Sequence, residues 1–302
     1  MRVREAPVLG LVAVSTAAAL WAVGAAVASS LFEDGVTPLE LSQARAYITA
    51  AGLALLPTAW QKRKADGKRS SWVLLAAMGL AIALVNLTYY VAIDRIPVAV
   101  AIVLQYSAPA MVVGWTAFRN RKRPPTPVVL ALAGALLGIV LLSEVLSGNL
   151  GRLDALGIAM GLGAAITFAA YTLLSESVNA RYGPVQAIFR GFAIASLFWL
   201  AIQLPRAWPA ALFEPDNVAR VLFVGLAGTL LPFLLYVWGV GRMQAARASI
   251  AATLEPVLAA VIAWVWLDQT LSLIQFVGGA FVIVAVVSLQ NRTSVGPLPP
   301  DV

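Results

Sequence analysis

The chain has 302 residues, 61% of them hydrophobic and only 12% charged, with 21 Lys and Arg against 14 Asp and Glu, and its mean hydropathy is +0.86. Soluble domains carry about 25% charged residues, so these proportions exclude an ordinary soluble fold and place the chain in a lipid bilayer. Cys and His are both absent, which rules out zinc sites, disulfides, thiol nucleophiles and imidazole bases.

Arg2 and Arg4 lead into an apolar run from Val8 to about Leu31. Ala26, Val27 and Ala28 before Ser29 imitate a signal-peptide cleavage site, but the run exceeds the roughly 7–15 residues of such a signal's apolar region. It matches the ~20 residues of a spanning helix. Nine further segments follow, at about 38–60, 72–93, 97–118, 127–145, 155–177, 184–204, 218–240, 245–267 and 271–289. Pro38, Pro97, Pro127 and Pro184 open four of them, where a missing N–H costs a helix nothing. Trp60, Trp72, Trp199 and Trp208 fall at segment ends and are expected in the interfacial aromatic belt.

The first half of the chain recurs in the second. A shift of 147 positions places Gly10 on Gly157, Ala17 and Ala18 on Ala164 and Ala165, and Trp21 on Phe168. The same shift places Tyr89 on Tyr236, Arg95 on Arg242, Ala101 on Ala248 and Pro109 on Pro256. Each half holds five segments, an odd number, so the second copy enters the membrane inverted. The expected fold is an all-α polytopic membrane protein of ten transmembrane helices built as two inverted five-helix repeats. Residues 1–148 form the first repeat; residues 149–302 form the second, with a short disordered tail from Arg292 to Val302.

With the N-terminus inside, fifteen Lys and Arg fall on cytoplasmic segments, nine of them at 61–70 and 119–126, against Arg95, Arg152, Arg206 and Arg220 on the other side. This bias sets both termini in the cytoplasm. It also accounts for the basic excess without a nucleic-acid partner. Arg45 and Arg190 complete the set inside predicted helices, seven and six residues after Pro38 and Pro184. Each could meet a substrate carboxylate, or snorkel to the interface or tether a helix, the second being the favoured reading. Small residues at four-residue spacing, Gly157, Gly161, Ala165 and Ala169, and Ala18, Ala22 and Ala26, read as close helix contacts in lipid.

The run from Leu254, Glu255, Pro256 and Val257 to Trp264, continuing through Leu267, Asp268 and Gln269 into Gly278 and Gly279, resembles the drug/metabolite transporter superfamily, in its ten-helix EamA-type branch. The first-half counterpart is Gln105, Tyr106, Ser107, Ala108 and Pro109; the basic run Arg119 to Arg123 departs from the Gly-Glu turn frequent in that family. The resemblance covers about residues 8–290 and implies a central cavity lined by helices 1–4 and 6–9. It also implies carriage of amino acids or other small metabolites, with relatives that move sugars or nucleotide sugars.

Glu255 is the one acid deep in a predicted span, and an ionisable group there is a functional candidate by default. It could bind a substrate ammonium group or exchange a proton; as a structural carboxylate it would tie its helix to a neighbour. Pro109 and Pro256 fall mid-span and would free the carbonyls of Gln105 and Ala252, either for a site at the repeat interface or as kinks serving packing alone. The expected substrate-binding residues are Trp21, Tyr89, Gln105, Tyr171, Tyr236 and Glu255, beside these two prolines. No metal, cofactor or catalytic group is expected, since without His and without a second mid-span acid an intramembrane enzyme lacks its parts.

The expected function is a secondary transporter of the cytoplasmic (bacterial-type inner) membrane exporting small metabolites, amino acids foremost, as a monomer whose partners are its small-molecule substrate and membrane lipid. A sugar, nucleotide sugar or lipophilic drug is the alternative cargo. A channel suits the five-plus-five inversion less well than alternating access does.

Overall fold

The computed structural model describes residues 7–60, 71–143, 145–147, 154–266 and 270–289. Arg2, Arg4, the loop 61–70, Arg152, the 267–269 part of the second-half motif, Arg292 and the expected disordered tail lie outside the described residues.

Among the described residues the regular structure is helical throughout. The helices are α1 (Pro7–Glu33), α2 (Pro38–Ala54), α3 (Pro57–Trp60), α4 (Ser71–Arg95), α5 (Val98–Gln105), α6 (Ala108–Arg119) and α7 (Thr126–Leu142) in the first half. The second half holds α8 (Ala155–Tyr182), α9 (Pro184–Gln203), α10 (Pro215–Gly225), a π-turn (Leu226–Leu230), α11 (Leu231–Met243), α12 (Ala245–Ala251), α13 (Leu254–Trp266) and α14 (Leu273–Ser288).

Among the described residues seven stretches are long and apolar enough to cross a membrane, namely 8–33, 72–93, 99–119, 155–182, 184–203, 215–243 and 245–262. The other three expected segments hold shorter helices, α2 and α7 with 17 residues each and α14 with 16. Seventeen residues rise about 26 Å, a little under the ~30 Å hydrocarbon core. A count of ten therefore depends on these three.

Caps fix several helix starts. Thr37 and Glu40 form a reciprocal capping box at α2: the Thr37 N–H donates to Glu40 Oε2 at 2.8 Å, and the Glu40 N–H donates to Thr37 Oγ1 at 3.3 Å. Ser272 and Gln275 repeat the device at α14. Asp154 accepts from the Leu156 N–H at 2.9 Å to start α8 and takes Arg95 Nη1 at 2.9 Å, which ties α8 to the end of α4. The Arg95 guanidinium and the amide bond hold the Asp154 carboxyl below the ordinary carboxylate range.

Two spans break in the middle. Between α5 and α6 the Ser107 hydroxyl donates to the Leu104 carbonyl at 2.7 Å; between α12 and α13 the Thr253 hydroxyl donates to the Ile250 carbonyl at 2.6 Å. Pro109 and Pro256 stand in the first turns of α6 and α13. They are therefore helix-starting residues, where a missing N–H is harmless, and not kinks within continuous helices.

Packing follows the rule for helices in lipid, with small residues inside and large apolar ones out. Gly138 on α7 and Gly278 on α14 meet so closely that a Cβ on either would lie 2.6 or 2.7 Å from the other's carbonyl oxygen. Gly161 faces Leu104, while Ala165 and Ala169 are buried against α6 and α12. Leu130, Leu197, Val265 and Val284 are instead about two-thirds exposed, as lipid-facing side chains would be. Trp60, Trp72 and Trp208 are exposed as expected, but Trp199 is 1% exposed. It lies in the core, edge-on to Phe198.

The end of α6 is closed by a Schellman pair, with the Lys122 N–H donating to the Ala117 carbonyl at 3.1 Å and the Arg121 N–H to that of Phe118 at 3.2 Å. This motif puts Arg121 in the left-handed region with φ +50°, a conformation costing about 1–2 kcal/mol for a residue with a Cβ.

Candidate functional site

A cavity of about 490 Å³ opens among α1, α2, α4, α5, α8, α11, α13 and the π-turn. Its position follows from the broken helices. Gln105 and Tyr106 end the α5 segment, Glu255 and Pro256 begin α13, and all four line the space.

One wall is aromatic. Trp21 stands edge-on to Phe168 and Phe233, with ring centroids 6.2 and 5.5 Å away. Tyr89, Tyr90 and Phe32 continue the lining, and Phe32 meets Tyr90 edge-on at 5.3 Å. Such edge-to-face contacts add roughly 0.5–1.5 kcal/mol per pair beyond burial. The result is a rigid apolar surface interrupted by few polar groups.

Polar groups share this lining. Glu255 lines the cavity beside Tyr106, with Arg45 as the cation acting on it through space. Arg45 is 6% exposed. Its Nε donates to Thr229 Oγ1 at 2.6 Å, its Nη1 to the Tyr90 hydroxyl at 2.6 Å and its Nη2 to the Gly228 carbonyl at 3.3 Å. Those bonds use three of the five guanidinium N–H groups. Asn86, one turn before Tyr90 on α4, adds an amide to the lining.

The π-turn makes these contacts possible. Thr229 Oγ1 donates to the Val224 carbonyl five residues back at 2.7 Å, and Thr49 Oγ1 donates to the Gly225 carbonyl at 3.1 Å. Gly228 packs against Gly24 of α1, where a Cβ on Gly24 would lie 3.0 Å from the Gly228 Cα. A side chain at either glycine would need the facing backbone to give by a few tenths of an ångström.

The structure thus brings together Trp21, Tyr89, Gln105, Glu255 and Pro256. Tyr171 and Tyr236 stand behind the lining, both 0% exposed, stacked at 5.7 Å with 24° between their planes. The Tyr236 hydroxyl bonds Thr172 Oγ1 at 2.9 Å, and the Tyr236 ring supports Trp21 at 5.4 Å. Pro109 is buried in α6 outside the lining. The Ala252 carbonyl, expected to be free, accepts the Glu255 N–H at 3.0 Å.

Arg45 does not snorkel. Its hydrogen bonds point inward and tether α2 to the π-turn and to α4. Arg190 remains with its own neighbours, its guanidinium carbon 4.3 Å from the Tyr182 ring centroid and Nη2 3.5 Å from Gln186 Oε1. Phe168, Phe233 and Phe32 are lining residues that sequence reasoning passed over. Phe168 carried a signal, since it is the repeat partner of Trp21; Phe233 and Phe32 carried none.

The sequence profile of the EamA-like transporter family matches residues 8–144 and again 155–289. The threonine/homoserine exporter RhtA of Escherichia coli strain K12 is 29% identical over 266 residues, covering 87% of this chain and 84% of that protein. An uncharacterized transporter of Bacillus subtilis strain 168, YwfM, is 26% identical over 271 residues, covering 86% of this chain and 87% of its own. A crystal structure 19% identical in sequence superposes with a TM-score of 0.72 over 94% of this chain and 98% of the other, a likeness of fold.

Proposed function

The chain belongs to the EamA-like transporter family of the drug/metabolite transporter superfamily, and from that membership we propose that it is a secondary transporter exporting amino acids through the 490 Å³ cavity. One observation carries the choice of cargo: a carboxylate, Glu255, and a guanidinium with N–H groups to spare, Arg45, share one cavity with an aromatic wall. A zwitterion presents the complementary pair, its ammonium to Glu255 and its carboxylate to Arg45, and leaves its side chain to Trp21, Tyr89 and Phe233. The similarity to a threonine/homoserine exporter supports the same reading.

In this proposal ten helices span the membrane as two inverted repeats of 1–148 and 149–302, both termini are cytoplasmic, and the unit is a monomer. The twofold match of the family profile supports the repeat. Gln105 and Asn86 orient the polar end of the cargo. Tyr171 and Tyr236 act on it only by holding Trp21 in place.

Counterflow in proteoliposomes tests the cargo. Liposomes loaded with unlabelled threonine, a sugar or a lipophilic cation are given the radiolabelled solute outside, with and without a pH gradient. Accumulation for amino acids alone is expected. Accumulation for the sugar or the lipophilic cation alone would reassign the cavity.

A further inference from the structure

A second cavity, of about 550 Å³, lies apart from the transport site, between the end of α6, the second half of α8 and the junction of α11 with α12. Arg119, Arg121 and Lys122 line it, with Gln244, Trp115 and Glu176.

Three observations converge there. First, none of the three cations forms an ion pair with a carboxylate among the described residues, although Glu176 lies in the same cavity. Unpaired like charges gathered on one short turn repel one another, and an anion between them would relieve that repulsion. Second, Arg121 and Gln244 are the non-glycine residues with positive φ among the described residues, at +50° and +71°, and both line this cavity. A glycine would serve either turn with less strain. Two strained positions meeting in one cavity imply that the side chains there are needed for something other than closing the turns. Third, Trp115 is 51% exposed and Phe118, one turn on, is 77% exposed; their rings lie 6.1 Å apart. An exposed aromatic pair beside a basic turn marks the level of the bilayer interface.

We infer that this cavity is a phosphate-binding site for the headgroup of an anionic phospholipid, with Arg119, Arg121 and Lys122 around the phosphate, the Gln244 amide as a further donor, and Trp115 against the lipid's glycerol end. The phosphate could come from a lipid or from a soluble anion. The interfacial aromatics favour the lipid, because they put the cations where headgroups are concentrated, and basic pockets between membrane helices take such headgroups.

The test is native mass spectrometry of the full chain in nanodiscs, titrated with phosphatidylglycerol, with phosphatidylcholine, and with inorganic phosphate as competitor. The wild type should bind phosphatidylglycerol in preference to phosphatidylcholine, undisturbed by millimolar inorganic phosphate. Arg121→Gly should keep or raise the unfolding temperature, since glycine suits the turn, yet weaken phosphatidylglycerol binding about tenfold, the scale of one charge-assisted contact. The paired substitution Arg119→Gln, Lys122→Gln leaves the backbone strain untouched and should weaken binding at least as much, which decides the matter if Arg121→Gly does not fold. Unchanged phosphatidylglycerol binding in the paired variant, or displacement of the lipid by inorganic phosphate, would overturn the proposal.

Discussion

Arg45 donates from Nη2 to the Gly228 carbonyl at 3.3 Å, and Gly228 stands four residues before Pro232, whose missing N–H would have been that carbonyl's α-helical donor. The chain widens into a π-turn at this point, and π-turns recur at functional sites. A buried cation from a different helix thus completes the hydrogen bonding of a proline-opened turn, and the same guanidinium reaches the Tyr90 hydroxyl on the cavity wall.

Arg45→Lys should therefore be destabilising although it preserves the charge. An ammonium on a flexible stem cannot serve Thr229, Tyr90 and the Gly228 carbonyl together, as the planar guanidinium does. Hydrogen bonds to charged groups contribute about 1.5–3 kcal/mol each, so losing one or two should lower the unfolding midpoint of purified protein by several degrees. A midpoint equal to wild type would show that the three bonds carry no net stability.

Gly10 and Gly157 are predicted to differ in their tolerance of alanine. A Cβ at Gly157 would lie 2.6 Å from Ile96 Cγ2 and 3.0 Å from Arg95 Cβ, whereas one at Gly10 would lie 3.2 Å from Arg242 Cβ. The first contact forces α8 away from α4, at the 1–3 kcal/mol typical of overpacking; the second needs a shift of only a few tenths of an ångström. Gly157→Ala should thus lower the unfolding midpoint more than Gly10→Ala. The contacts also exchange partners under the sequence repeat: Gly10 meets Arg242 and Gly157 meets Arg95, each pair being the other moved by 147 positions. Equal midpoints for the two variants would mean that the α4–α8 contact yields more readily than its spacing implies.

Much of this was legible in the sequence because membrane constraints are simple. Apolar runs near twenty residues, the 147-position repeat and the paired prolines located the helices and the two broken spans. They also put Glu255, Trp21, Tyr89 and Gln105 near one point. What escaped depended on rotation about helix axes. Tyr171 and Tyr236 stand just behind the lining, stacked in the α8–α11 contact, and all-round apolar helices have no polar face to reveal that angle. For Arg45 the favoured reading joined snorkelling with helix tethering, and tethering is what its bonds to Thr229, Tyr90 and the Gly228 carbonyl do; its partners escaped, because nothing local announces a carbonyl whose α-helical donor is lost at Pro232, nearly two hundred residues away.

The topology makes a separate prediction. Because the chain has no cysteine, Asn120→Cys gives a single labelling site on the α6–α7 turn. That turn carries Arg119, Arg121, Lys122 and Arg123 and should face the cytoplasm. A membrane-impermeant maleimide should label it in inside-out vesicles and not in intact cells. Labelling in intact cells would reverse the orientation of the whole chain.

The most exposed prediction concerns Glu255. An uncompensated carboxylate at this depth in a membrane is costly, and here it has one hydroxyl neighbour, Tyr106, and one distant cation, Arg45, while it faces an open cavity. A group tied down purely for structure would be expected to have its acceptor oxygens filled by the protein; one that waits for a ligand keeps a side free. Glu255→Gln conserves the shape but removes the charge, so it should fold and insert normally while transport falls by tenfold or more, about the effect of losing one ion-paired contact. Measuring transport across a range of pH then separates two roles. If Glu255 carries a proton, wild-type transport depends on pH and the Gln variant loses that dependence; if it only binds the cargo ammonium, the variant chiefly raises the apparent KM at every pH. Wild-type transport by correctly inserted Glu255→Gln protein would return the carboxylate to a structural role and remove it from the site.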